Sequence, residues 1–178
     1  MSEASAGAAP KEWRGRLFED FDVGDVYRCR LGRTISETDN TWFTCLTMNT
    51  NQMHFNAPYA ERTRFGRVLV NSTFTLALVA GLTVPDTSEN AVANLGWTDI
   101  QLPAPVFVGD TLWAESEILE LRGSESRPNV GIVSMRSRGV NQHGVVVIEF
   151  LRTFMVLRRS APEASSSFPV TATKWGVG

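Results

Sequence analysis

One short stretch of the chain contains residue types that can move a proton. His54 is one of only two histidines among 178 residues, and imidazole is the side chain that exchanges a proton near neutral pH. Asn49 lies five residues before it, and Asn51 lies between them. We predict His54 as an acid/base, with a purely structural histidine as the alternative. Asn49 is predicted to position water or to cap a helix, and Asn51 to bind substrate or to brace the loop.

A helix N-terminus is predicted at the far end of the same stretch. Asn71 and Ser72 are good N-cap residue types, and an apolar segment follows them. The free N–H groups in the first turn of a helix attract negative charge. We therefore predict that Asn71 and Ser72 face the same substrate as His54 and bind an oxyanion. Capping is compatible with this role, because a cap uses only some of these N–H groups.

The loop that leads to this helix supplies further candidates. Phe65, Gly66 and Arg67 are predicted to bind substrate. Arg64 and Arg67 could meet phosphate groups, although scattered arginines are usually only solvated. His143 falls in a predicted surface turn and is expected to be inert.

Composition limits the class of protein. The chain is 43% hydrophobic with a net charge of −2, which suits one domain with a sizeable core. The scattered basic residues predict no nucleic-acid partner. The two cysteines lack metal-ligand spacing and suit a reducing compartment. No apolar run reaches the length of a membrane span, so we expect a cytoplasmic protein that binds no membrane, no metal and no cofactor.

The elements that must position the candidate residues follow from local patterns. Residues 1–15 and 160–178 read as tails around a single domain at 16–159. A strand is predicted from Val26 to Ile35, with Leu31 on its apolar face. Ser36 to Asp39 has capping-box spacing and starts a helix that ends near Asn49. Cys45 is expected to be a core residue on the apolar face of that helix.

The second half of the chain predicts one buried helix and four strands. The segment from Ser72 to Val84 is apolar nearly all round, as in a buried helix that Pro85 ends. Strands are predicted at Ala91–Leu102, Thr111–Leu121, Val130–Val140 and Val145–Leu157. Arg152 interrupts the apolar face of the last strand, which predicts a carboxylate partner or a bulge. The simplest packing is α+β, a curved antiparallel sheet wrapped around a central helix. Its open edges favour pairing with a second copy.

Several of these segments resemble one family. They are FEDFDVGD at 18–25, the His54 loop, the helix from Asn71, and LPAPVFVGDTLWAESEILE at 102–120. Together they are similar to single-domain MaoC-like (R)-specific enoyl-CoA hydratases of the hot-dog fold, over residues 17–158. The variants NTNQMHFN and NLGW look most like short members that act on mesaconyl-CoA or related branched acyl-CoA.

The resemblance implies a function and a site. Acyl-CoA would lie in a groove at a homodimer interface, and the N–H at Ser72 would receive the thioester oxygen. CoA would enter only as part of the substrate. The family has an aspartate where this chain has Asn49, and His-Gly where it has Asn71 and Ser72. An amide does not titrate in water, so proton transfer would fall to His54.

Two other functions remain open from the sequence. A thioesterase of the same fold would need a carboxylate facing the thioester, and Glu61 is the only acidic residue between positions 49 and 72. A non-catalytic acyl-CoA-binding or partner subunit would explain the missing aspartate. We favour a hydratase, because the amides around the histidine are present as a set.

Overall fold

The computed structural model describes residues 12–169, which form one antiparallel sheet with three helices. The strands are β1 (Val26–Arg28), β2 (Arg33–Thr34), β3 (Ala91–Gln101), β4 (Thr111–Gly123), β5 (Val130–Asn141) and β6 (Val146–Leu157). The helices are α1 (Glu37–Leu46), α2 (Ala57–Glu61) and α3 (Ser72–Thr83). Short 3₁₀ turns lie at Phe18–Asp20, Gln52–His54 and Pro162–Ala164.

The sheet has the order β1-β4-β5-β6-β3, with β2 also pairing with β4. All pairs are antiparallel. The four long strands agree with the predicted ones to within two residues at each end. The predicted α+β hot-dog architecture, an antiparallel sheet around a central helix, is confirmed.

Helix α3 packs against the inner face of the sheet. Val79 is fully buried there, in a cluster that includes Leu112, Ile148 and Phe150. Gly139 on β5 allows the close approach, since a Cβ at that position would lie 2.6 Å from Val79 Cγ2. A second cluster fills the other end of the sheet around Phe154.

The prediction that α3 is buried nearly all round is wrong for a single copy of the chain. Its buried residues are Thr75, Val79 and Thr83, which lie one turn apart on one stripe. Ala77 and Gly81 on the opposite side are exposed. The helix also does not stop at Pro85 but continues as one π-helical turn, Val84–Ser88. Composition alone does not show whether the second apolar face of a helix packs within its own subunit or against another subunit.

The predicted strand from Val26 to Ile35 is in fact two short strands, and Leu31 is 61% exposed. The break follows from Cys29. Its N–H donates to the Ala114 carbonyl at 2.9 Å, while its Sγ accepts the Ala114 N–H at 2.9 Å. The thiol thus takes the place of a ladder carbonyl, and the chain leaves β4 after this point.

The capping box at the start of α1 is confirmed, but the helix face that was predicted to be buried is exposed. The Ser36 hydroxyl accepts the Asp39 N–H at 3.1 Å, and Asp39 Oδ2 accepts the Ser36 N–H at 2.8 Å. The expectation that Cys45 is a core residue is wrong, because Cys45 is exposed. Trp42 and Leu46 are 68% and 76% exposed. The buried face of α1 is polar instead.

Arg152 is buried with neutral partners, so the predicted carboxylate is absent. Its Nε donates to Asn94 Oδ1 at 2.8 Å and its Nη1 to Ser88 Oγ at 3.1 Å. The predicted bulge is wrong too, because β6 pairs regularly at Arg152, opposite Trp97 and Met135. Ser88 closes the helical segment, whose terminal carbonyls favour a cation. Burial lowers the pKa of the guanidinium.

The predicted tails fall mainly outside the described residues, which exclude 1–11 and 170–178. Within residues 12–169, the segments that flank the domain contact it. Asn90 Nδ2 donates to the Arg14 carbonyl at 2.7 Å, and Ala161 is buried beside Val130 and Leu157. Within residues 12–169, no helix has the length and hydropathy of a membrane span.

Candidate functional site

His54 lies at the end of a 3₁₀ turn and is 8% exposed. Its Nδ1 is 2.9 Å from the Leu69 carbonyl oxygen. A carbonyl only accepts, so Nδ1 carries the proton and Nε2 has a free lone pair in the neutral ring. Nε2 has no hydrogen-bond partner in the described chain. Every buried side-chain nitrogen or oxygen in that part of the chain does have a partner, so Nε2 is not a buried atom. Nε2 therefore retains some exposure to solvent, which a group that takes a proton from water needs.

Asn49 follows the C-terminus of α1 and is half-buried. The alternative that Asn49 itself is the left-handed cap is wrong, because Met48 has that conformation, with φ of 53°. The Asn49 N–H donates to the Thr44 carbonyl at 3.0 Å, which completes a Schellman motif. Asn49 Oδ1 accepts the Asn51 N–H at 3.0 Å. Its Nδ2 therefore remains to donate to another group.

Asn51 has a local role in the same loop. Its side chain caps the Gln52–His54 turn, where Oδ1 accepts the Met53 N–H at 3.2 Å. Asn51 is otherwise exposed. It therefore braces the turn that presents His54.

Asn71 and Ser72 form the N-terminus of α3 as predicted. Asn71 is the N-cap, and its Oδ1 accepts the Thr73 N–H at 3.0 Å. Asn71 Nδ2 donates to Thr44 Oγ1 at 3.3 Å, so both polar atoms of this buried side chain have a partner. Ser72 is exposed, and no residue in 12–169 accepts its N–H. Within residues 12–169, the backbone N–H groups of Ser72 and Phe74 are thus the free donors in the first turn of α3.

Leu69 joins the histidine to the helix tip. Its N–H donates to the Met53 carbonyl at 3.1 Å, and its own carbonyl accepts from His54. Leu69 lies three residues before Ser72. The structure therefore brings the two predicted halves of the site next to each other.

A cavity of about 270 Å³ opens at this helix tip. Its lining residues are Arg64, Phe65, Leu69, Val70, Ser72, Thr75, Leu102, Pro103, Ala104, Pro105 and Val106. His54 is not one of them, and its ring is bonded to the Leu69 carbonyl at the wall. Among residues 12–169, Arg64 is the only charged residue of this lining, and no carboxylate belongs to it.

The other predicted substrate residues divide into two groups. Phe65 lines the cavity and stacks edge-on with Phe107, with ring centroids 6.3 Å apart. Gly66 and Arg67 do not line it. Gly66 has φ of +67°, a turn conformation that favours glycine. The Arg67 guanidinium lies 3.7 Å above the Phe107 ring, which fixes it beside the cavity.

Two residues of the site were missed by the sequence analysis. Asn40 and Thr44 are the buried residues of α1, and both bond to the segment that starts α3. They are spaced four apart, so they share one helix face. The sequence did contain a signal for them: two polar residues four positions apart in a helix whose apolar residues are at positions 42, 43 and 46.

Comparisons with known proteins point to one family. A family model described as mesaconyl-CoA hydratase matches residues 4–173. The chain is 35% identical over 166 residues to beta-methylmalyl-CoA dehydratase of Chloroflexus aurantiacus, covering 88% of this chain and 47% of the relative. It is 34% identical over 160 residues to mesaconyl-CoA hydratase of Cereibacter sphaeroides, covering 89% of this chain and 46% of the relative.

A solved structure gives the same picture. A MaoC domain protein from Chloroflexus aurantiacus has a TM-score of 0.80 and 34% identity, covering 93% of this chain and 46% of that one. The chain thus spans about half the length of the curated relatives it matches.

Proposed function

Because this chain belongs to the mesaconyl-CoA hydratase family, we propose that it is an acyl-CoA hydratase. It adds water reversibly to the double bond of a trans-2-enoyl-CoA. Mesaconyl-CoA, or another short branched enoyl-CoA, is the proposed substrate, and the relatives' names describe the two directions of such a reaction. A CoA thioester substrate and two unpaired thiols suit the cytoplasm.

His54 Nε2 is the proposed base. It takes a proton from water while the hydroxyl oxygen bonds to the β-carbon. The electron pair of the double bond shifts toward the thioester, whose oxygen becomes an enolate oxygen. The proton then returns to the α-carbon, which completes the addition of one water.

The helix tip supplies the electrostatic part of the mechanism. The Ser72 N–H, which has no acceptor in residues 12–169, is the proposed donor to the enolate oxygen. The N-terminal end of the α3 dipole lies behind it. Asn49 Nδ2 is proposed to hold the attacking water, because its Oδ1 is already occupied. Arg64 and Arg67 are proposed to meet anionic groups of the substrate.

One observation carries this proposal. The Leu69 carbonyl holds the proton on His54 Nδ1, so the free lone pair of the ring is on Nε2, next to a helix start with an unused donor. A base and an oxyanion donor on neighbouring segments, joined through Leu69, are the pair that hydration of an enoyl thioester requires.

The direct test is an enoyl-CoA panel with crotonyl-, methylcrotonyl- and mesaconyl-CoA. We expect loss of the conjugated-thioester absorbance and formation of a hydroxyacyl-CoA. Absence of turnover across the panel would support the binding-subunit alternative. Release of free CoA would support a thioesterase.

The donor can be removed by a substitution at Ser72 alone. Ser72 is the first residue of α3, where proline is tolerated, and Asn71 has φ of −59° and ψ of 125°, which suits a residue before proline. Ser72→Pro should therefore fold and lose roughly 10²–10³-fold in kcat. Ser72→Ala keeps the N–H and is the matched control, with expected activity close to wild type. Equal activities of the two variants would exclude this donor.

We propose a second copy of the chain as the partner that covers β3. This strand lies at one edge of the sheet, and within residues 12–169 it pairs with β6 alone. Its exposed apolar residues lie symmetrically about the central Gly96, as Leu95 with Trp97 and Val92 with Ile100. A two-fold axis near Gly96 would pair each with its counterpart in an antiparallel ladder.

The dimer proposal has its own test. Leu95→Arg should convert a dimer to a monomer in sedimentation velocity, since it places a charge at the centre of the proposed ladder. Leu119→Arg changes an exposed leucine of β4 and should leave the dimer intact. A wild-type monomer at assay concentrations, or equal effects of both variants, would refute the proposed interface.

A further inference from the structure

Helix α1 buries a polar face where a helix usually buries an apolar one. Asn40 and Thr44 are 1% and 0% exposed, whereas Trp42 and Leu46 project into solvent. Burying an amide costs free energy unless its donors and acceptor are all paired. A leucine side chain at position 40 would need no hydrogen-bond partner of its own. The presence of a carboxamide there therefore has to be explained by what it bonds.

The Asn40 side chain bonds three separate parts of the site. Its Nδ2 donates to the His54 carbonyl at 2.8 Å and to the Leu69 carbonyl at 3.3 Å. Its Oδ1 accepts the Asn71 N–H at 2.9 Å. Both hydrogens and the oxygen of one carboxamide are thus used, and each bond ends on backbone.

These three backbone positions define the geometry of the site. One belongs to the residue that carries the imidazole. The second is the Leu69 carbonyl, which also accepts from His54 Nδ1. The third is the N-cap of α3, next to the free N–H of Ser72. Asn40 therefore connects the proposed base and the proposed oxyanion donor through one rigid planar group.

We infer that Asn40 is a positioning residue that sets the distance between His54 Nε2 and the Ser72 N–H. The inference rests on the proposed function. Base and donor must engage the same enoyl thioester at once, and a displacement of about 1 Å can cost 10²-fold in rate. Asn40 itself touches neither substrate nor water. Its effect on the reaction is transmitted through the His54 turn and the tip of α3.

The first experiment compares Asn40→Ala with a buried polar control variant, with kcat expressed per folded molecule. Ser137 is 0% exposed, and its hydroxyl lies 2.8 Å from that of Ser116 on the neighbouring strand. Ser137→Ala also leaves a buried polar group unpaired, far along the chain from the site. We expect Asn40→Ala to lose about 100-fold in kcat with KM nearly unchanged, and Ser137→Ala to retain wild-type kcat. Equal kcat values in the two variants would overturn the inference.

An isosteric variant covers the case in which Asn40→Ala does not fold. Asn40→Asp keeps the acceptor for Asn71 but turns a carboxylate oxygen toward two carbonyls. It also places a negative charge beside the helix tip. We expect a similar fall in kcat, and a ratio to wild type that recovers as pH is lowered, because the protonated acid regains a donor. A ratio that is near one, or independent of pH, would count against the inference.

A spectroscopic readout separates failure of this inference from failure of the proposed function. The chain has two histidines, so His143→Gln leaves only the His54 ring in a ¹⁵N spectrum. We expect the Nδ1–H tautomer in this background, lost or mixed when Asn40→Ala is added and retained with Ser137→Ala. If the wild-type protein hydrates no enoyl-CoA, the tautomer measurement alone tests the role of Asn40. An unchanged tautomer in the Asn40→Ala protein would then overturn the inference.

Discussion

Two regions of the molecule are held together by different interactions. The sheet around β5 and β6 is packed by apolar side chains such as Val133, Met135 and Phe154, each fully buried. The site around His54 is held by amide and backbone hydrogen bonds, with Asn40 and Asn71 among its buried side chains. Apolar contacts have little directional preference, whereas hydrogen bonds fix positions.

The difference separates stability from chemistry. Burying an aromatic ring contributes several kcal/mol, whereas one hydrogen bond has a net contribution of about 1 kcal/mol. The sheet should therefore supply most of the stability and the amides most of the precision. Substitutions in each region can test this division.

The largest expected effect is on the chemistry. His54→Ala removes the proposed base and should lower kcat by roughly 10²–10⁴-fold. The melting temperature should change little, because the ring makes one hydrogen bond, to the Leu69 carbonyl. Steady-state kinetics and a thermal melt of the same sample check both. A large loss of stability with normal turnover would make His54 structural.

The opposite behaviour is expected for the sheet. Phe154→Ala leaves a cavity in the second core cluster and should cost about 3–5 kcal/mol in the free energy of unfolding. The kcat per folded molecule should stay within about twofold, since the apolar residues of this cluster belong neither to the His54 turn nor to α3. Urea denaturation and an active-site-normalised assay measure the two quantities. A strong fall in kcat would show that the two regions are coupled.

A smaller effect is expected within the site itself. Asn49→Asp restores the carboxylate that the MaoC-like pattern has at this position. Asp keeps the acceptor for the Asn51 N–H but loses the Nδ2 donor, so kcat should change by about tenfold or less, or about 1.4 kcal/mol of barrier. Kinetics on the enoyl-CoA panel check this. A well-folded but inactive variant would show that this protein requires the amide.

The smallest expected effect concerns the hydrogen bond between the side chains of Tyr27 and Asp25. Tyr27 donates to Asp25 Oδ2 at 2.7 Å, and burial together with this bond raises the pKa of Tyr27 to about 12. The folded state thus favours the neutral phenol. This contribution is complete below pH 10 and is lost as pH rises to 12. Tyr27→Phe should cost about 1 kcal/mol at neutral pH.

The same variant should be insensitive to this ionisation. The stability difference between wild type and Tyr27→Phe should shrink between pH 10 and 12. Urea denaturation at a series of pH values measures it, and Ser137→Ala provides a control difference that should stay constant. A Tyr27→Phe difference that stays constant as well would show that the bond does not shift the phenol.

Local patterns were sufficient for the four long strands and for the start of α1. The alternating residue types of β6 put Ile148, Phe150 and Phe154 on one face, and that face is buried. The Ser36-x-x-Asp39 spacing gave the start of α1. These succeed because strand period and capping depend on neighbours in the sequence.

Other predictions depended on groups far away in the chain. Apolar residues on α1 were expected in the core, yet the pattern cannot distinguish a core face from an exposed one. Arg152 was expected to meet a carboxylate, whereas Asn94 and Ser88 receive its donors. The Asn40 contacts span 14, 29 and 31 residues of sequence. No local period encodes such separations.

The outward-facing apolar side of α1 has a practical consequence. Trp42, Leu46 and Met48 would offer a native binding surface to an environment-sensitive dye in any assembly that leaves them open. Dye fluorescence would then be high before heating begins, and a weak transition could be mistaken for poor folding. Far-ultraviolet circular dichroism reads the backbone instead and is the sounder probe for ranking these variants.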